Sequence, residues 1–82
     1  MVSKSFLKFI KGKRLEAGLG QIVVAKQLKY SSSQMVSNWE RGLCLPPTRS
    51  LKALSKMYSV SKTEMLERYL NEIKLMVLKD WK

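Results

Sequence analysis

Residues 31–42 read SSSQMVSNWERG: three serines, a glutamine and an asparagine around a few apolar side chains. Wound into a helix over residues 33–41, at 3.6 residues per turn, the stretch sorts into two faces. Gln34, Ser37, Asn38 and Arg41 fall at i, i+3, i+4 and i+7 and share one side. Val36, Trp39 and Glu40 lie on the other, with Met35 at the border. The inner side is apolar apart from Glu40. The outer side holds two amides, a hydroxyl and a guanidinium, and no carboxylate.

Those groups are the ones that reading DNA asks for. Gln and Asn pair bidentately with the N6/N7 edge of adenine, and Arg with O6/N7 of guanine or with phosphate. Ser32 is placed to cap the helix, and a helix N-terminus suits a phosphate. The competing reading is an ordinary amphipathic surface helix, but such helices usually mix Glu and Lys on the outside. Trp39 shares its phase with Val36, which predicts a core residue rather than a ring that stacks on a base.

The rest of the chain bounds these readings. Its 82 residues suit one small domain, and 45% hydrophobic residues allow a core. Sixteen Lys and Arg against six Asp and Glu give a net charge of +10, which predicts a polyanionic partner: nucleic acid first, an anionic membrane surface second. There is no histidine and one cysteine, Cys44. No intrachain disulfide, thiol metal cluster, His-ligated metal or His-activated nucleophile can form, so neither metal nor cofactor is expected, and no enzyme. Cys44, with no resolving cysteine, reads as a small connector residue rather than a redox sensor. No apolar run approaches the ~18 residues of a membrane span, and the charged N-terminus is unlike a secretory signal. A reduced, cytoplasmic setting is the expectation.

Helical periods recur throughout and no strand pattern competes, which predicts an all-α fold. A first helix should start near Ser3 or Ser5, turn Phe6, Ile10, Arg14 and Ala17 to one face, and stop at Gly18. A short second helix, about Gln21–Leu28, turns Val24, Ala25 and Leu28 inward. The polar turn Lys29–Ser32 leads into the helix of the opening stretch, which Gly42 closes as a C′ residue. Leu43–Pro47 is a connector, because Pro46 and Pro47 forbid helix through Leu45. A fourth helix should span Thr48–Tyr58 with Leu51, Leu54 and Tyr58 inward. Ser61 and Glu64 make a capping box that starts the fifth.

The run KGKRLEAGLGQIVVAKQLKYSSSQMVSNWERGLCLPP resembles the helix-turn-helix domain of the lambdoid phage repressor and Cro proteins and their bacterial (XRE-family) relatives, over about Ile10 to Leu70. The specific parts are Arg14, then Gly18-Leu19-Gly20-Gln21, Ala25 and Leu28, then Val36 through Gly42 followed by Pro46. The resemblance implies a compact five-helix lambda-repressor-like domain over residues 1–70, with residues 71–82 extending its fifth helix. It implies that Ser33, Gln34 and Asn38 face base edges, with Ser37 beside them. Gln21 would grip a phosphate and buttress the reading helix, and Arg41 would contact phosphate too. Ser32, Lys26 and Lys29 are further phosphate candidates. Arg14 and Glu40 would form a structural ion pair between the first and third helices. Three departures stand out: Gly20 where Thr or Ser usually caps the second helix, Lys29 where Gly is usual, and a turn one residue longer between Leu28 and Val36.

Along the fifth helix, apolar residues recur at Leu66, Tyr69, Leu70, Ile73, Met76, Val77 and Trp81. This stripe either folds back on the chain's own core or forms a dimer interface, with Leu70, Ile73, Val77 and Trp81 as the candidates. A two-fold dimer would double the contacts on a palindromic site. The expected function is a dimeric, sequence-specific regulator of double-stranded DNA, a repressor acting by promoter occlusion with no small-molecule ligand. Two alternatives compete: an antitoxin-type regulator whose main partner is a toxin protein, and a basic protein bound to a membrane surface through its charge and last helix.

Overall fold

The computed structural model describes residues 4–81. Five α-helices make the chain: α1 (Lys4–Glu16), α2 (Gln21–Gln27), α3 (Gln34–Glu40), α4 (Leu51–Met57) and α5 (Lys62–Lys79). A 3-10 turn, Thr48–Ser50, runs into α4. The described part of α1 begins at Lys4, and Ser3, one of its two expected starts, lies outside the described residues.

The first four helices end in one way. At each, the residue after the C-cap takes positive φ: Gly18 (72°), Lys29 (66°), Gly42 (77°) and Ser59 (54°). The next residue sends its N–H back to the last turn: Leu19 to the Arg14 carbonyl at 3.2 Å, Tyr30 to Ala25 at 2.9 Å, Leu43 to Asn38 at 3.0 Å, Val60 to Ser55 at 3.0 Å. This is the Schellman arrangement, which satisfies carbonyls that a helix end would otherwise leave open. Gly18 and Gly42 reach the left-handed region freely, whereas Lys29 and Ser59 do so against a Cβ. Three of the four following residues close against the body: Leu19 and Tyr30 pack on the core, and Val60 is buried.

Val24, Ala25, Val36, Trp39, Ile10, Leu54 and Met65 form the sealed centre. Trp39 meets the Tyr30 ring edge-on at 6.0 Å, and Phe6 meets Tyr69 likewise at 6.0 Å. Tyr69 also donates to the Pro46 carbonyl at 2.6 Å, which pins α5 to the connector. The Arg68 guanidinium covers the Phe9 ring at 4.5 Å. Ser61 Oγ accepts the Glu64 N–H at 3.1 Å and starts α5.

One packing expectation needs correction, and two others are refined. Ala17 is exposed: it is the last residue before the left-handed turn at Gly18, and its N–H still closes on the Lys13 carbonyl at 3.1 Å. Tyr58 is buried but caps α4, and the first turn of the expected fourth helix is the 3-10 segment. In α5 the inward line is Met65, Tyr69 and Glu72 with Met76 half-buried, so Leu66, Leu70, Ile73 and Val77 stand outside it. The molecule extends 40 × 25 × 20 Å, a long axis in keeping with an 18-residue α5.

Candidate nucleic-acid interface

Val36 and Trp39 anchor α3 in the centre, and its one acid turns inward with them. Glu40 is the meeting point of three donors. Arg14 Nε reaches Oε2 at 2.6 Å, Arg14 Nη2 reaches Oε1 at 2.9 Å, and Gln21 Nε2 reaches Oε1 at 3.0 Å. Arg14 Nη1 also donates to the Leu19 carbonyl at 2.8 Å. Arg14 and Glu40 are both buried. The hydrogen bond to Glu40 raises the Arg14 pKa above its ordinary value, and burial opposes it. Thus α1 and the start of α2 both hold the last turn of α3, while the turn after α1 holds Arg14 in place. Gln21 gives one Nε2 hydrogen to this base, which leaves its second hydrogen for another acceptor.

On the outer side, Asn38 Oδ1 accepts from Gln34 Nε2 at 2.9 Å and from Arg41 Nη2 at 2.7 Å. One oxygen therefore orders three side chains across two turns. The amide of Asn38 is fixed so that Nδ2 remains a donor, and Gln34 keeps Oε1 as an acceptor; neither has a partner among the described residues. Donor, acceptor and guanidinium stand on one surface with no carboxylate on it. Ser33 and Ser37 are half-buried beside them.

The long serine turn resolves into two roles. Ser33 occupies the N-cap position, and its carbonyl accepts the Ser37 N–H at 3.0 Å. The side-chain cap comes from Ser32, whose Oγ accepts the Gln34 N–H at 3.3 Å. That bond uses an acceptor lone pair and leaves the Ser32 O–H able to donate to a phosphate oxygen. Lys26 and Lys29 are exposed at the end of α2 and in the turn after it.

Sequence reading missed the Gln34–Asn38–Arg41 chain, although spacings of four and three announce it. It also missed the Leu19 carbonyl as an Arg14 partner, a backbone contact that no residue type signals. Leu70 (59% exposed), Ile73 (37%), Val77 (51%) and Trp81 (78%) lie apart from this surface in sequence, all in α5 or just past it. Among the described residues no group of three or more Cys, Asp or Glu could hold a metal ion, and no helix is long and apolar enough to cross a membrane. No family model, curated protein or solved structure matches this chain.

Proposed function

We propose that the chain is a cytoplasmic, sequence-specific, double-stranded DNA-binding regulator with a lambda-repressor-like helix-turn-helix, acting as a homodimeric repressor. The observation that carries this reading is the ordered polar surface of α3, set on a sealed base and free of carboxylates. In this reading α3 enters the major groove. Gln34 and Asn38 present acceptor and donor to base edges, Ser33 and Ser37 flank them, and Arg41, Gln21, Ser32, Lys26 and Lys29 hold phosphates. The net charge of +10 supplies long-range attraction. Repression follows from occlusion: a protein seated in the groove across a promoter excludes polymerase.

Selection of bound duplexes from a random pool tests the reading. A palindromic motif is expected, with half-sites about 10 base pairs apart, and binding should weaken steeply with salt. No enriched motif, or binding indifferent to salt, would sink it. The exposed apolar side chains of α5 keep a second reading in play, an antitoxin whose surface takes a toxin protein; co-purification of a bound protein separates that case. Liposome binding with only non-specific DNA binding would instead favour the membrane-surface alternative.

A further inference from the structure

A groove of about 510 Å³ opens between α4 and α5. Buried Leu51, Val60 and Met65 line it, and the exposed lysines Lys52, Lys56 and Lys62 stand around it. An apolar pit ringed by three cations asks for an apolar group carried next to an anion. We propose that each groove receives Trp81 of a second copy, two chains pairing antiparallel along α5. The proposal rests on the homodimer reading above and adds the anchor, the direction and the register.

Besides its buried line, α5 carries a second one on its open side. Leu66, Leu70, Ile73 and Val77 follow steps of four, three and four, the spacing of a coiled-coil seam, and are exposed at 38%, 59%, 37% and 51%. Leu66 also lines the groove, so the seam runs out of the pit. At the far end stands Trp81, 78% exposed, directly after Asp80.

The chain's own Trp81 cannot fill the groove. It lies nineteen positions after Lys62, or about 28 Å along the axis at 1.5 Å per residue. A second copy can reach it, and charge decides the direction. Parallel pairing sets Lys62 against Lys62 and leaves both pits open. Antiparallel pairing layers Leu66 on Val77 and Leu70 on Ile73, and brings Glu67 of each chain to Lys74 of the other. In the same register Asp80 and Trp81 of one chain arrive at Thr63 and Lys62 of its partner, at the mouth of the groove. Asp80 and the negative helix terminus then meet the three lysines, and the indole meets the apolar floor. Lys79 does not spoil this, since it falls two residues after Val77, on the opposite side of the helix.

Two measurements on the full chain test the seat. Trp81→Ala should weaken self-association in sedimentation equilibrium by about tenfold or more, as loss of an aromatic anchor does, with helical content unchanged. In a Cys44→Ser background, Lys62→Cys with Asp80→Cys should give an interchain disulfide under mild oxidation, because within one chain the two sites are too far apart. A dimer of unchanged affinity with no such link overturns the groove seat and leaves the homodimer standing. A link with unchanged affinity overturns Trp81 as the anchor, and weakening without a link places it elsewhere, against the proposal. A monomer at every concentration overturns seat and homodimer together. Binding of one copy to a half-site duplex reports on the DNA reading apart from all of these.

Discussion

Arg14 and Glu40, 26 positions apart, meet through two parallel hydrogen bonds of 2.6 and 2.9 Å, both side chains out of solvent. A buried pair of this kind adds little to stability over well-packed apolar side chains, since desolvation offsets its attraction, but losing one partner strands the other charge. Glu40→Ala should therefore cost about 3–5 kcal/mol in urea unfolding, and Arg14→Ala a similar amount. The double replacement Arg14→Met with Glu40→Leu should cost less than either single change. Simple additivity of the two single losses would show that the charges do not depend on each other. Glu40→Ala also frees Gln21, so the start of α2 should lose amide-exchange protection along with α3.

Much of this architecture could be read from residue types, and the exceptions share a cause. Gly18 and Gly42 announced their helix ends because glycine is at home in the left-handed region. The matching ends at Lys29 and Ser59 gave no such sign, because neither residue type favours the left-handed region. The inner side of α3 was legible because Val36 and Trp39 have no apolar rival on the outside. In α5 two apolar lines run side by side, Met65–Tyr69–Met76 and Leu66–Leu70–Ile73–Val77, and periodicity cannot say which one faces the core. Glu72, charged in sequence and buried in the structure, hid the true inward line further.

The turn between α2 and α3 carries a correctable strain. Lys29 holds φ at 66°, where a Cβ costs roughly 1–2 kcal/mol, while glycine returns part of that through its greater freedom when unfolded. Lys29→Gly should accordingly stabilise the fold by up to about 1 kcal/mol in thermal or urea unfolding. The reverse holds at Gly18, whose added Cβ would meet nothing within 4 Å. Gly18→Ala should destabilise by about 1 kcal/mol from backbone conformation alone. A Lys29→Gly protein no more stable than the parent would mean that the strain is relieved elsewhere in the turn.

Two buried tyrosines should respond in opposite ways to loss of the hydroxyl. Tyr58 Oη has no hydrogen-bond partner among the described residues, whereas Tyr69 donates to the Pro46 carbonyl. Tyr58→Phe should stabilise by about 1 kcal/mol and Tyr69→Phe should destabilise by about 1–2 kcal/mol at neutral pH. Burial raises both phenol pKa values, and Glu40 adds to the rise at Tyr58. The unfolded chain ionises near pH 10, so the stability held by the neutral phenols is complete below that pH and is lost as pH climbs past it. The parent should lose stability above about pH 10 faster than Tyr58→Phe does. Parallel alkaline slopes for the two proteins would remove Tyr58 from the transition.

The ordered chain on α3 makes its own demand on DNA binding. Asn38 Oδ1 orients both Gln34 and Arg41, so Asn38→Ala removes a reading amide and loosens its two neighbours at once. Gln34→Ala should cost about 1–3 kcal/mol on the selected site and little on random duplex, and Asn38→Ala at least as much. Because the two share one hydrogen bond, the double substitution should cost less than the sum of the singles. Arg41→Ala should instead weaken binding to every sequence and reduce the log–log salt slope by about one. Equal losses on selected and random DNA for Gln34→Ala would move it from base reading to phosphate contact. An additive Gln34–Asn38 cycle would mean that their hydrogen bond is broken once the surface meets the groove.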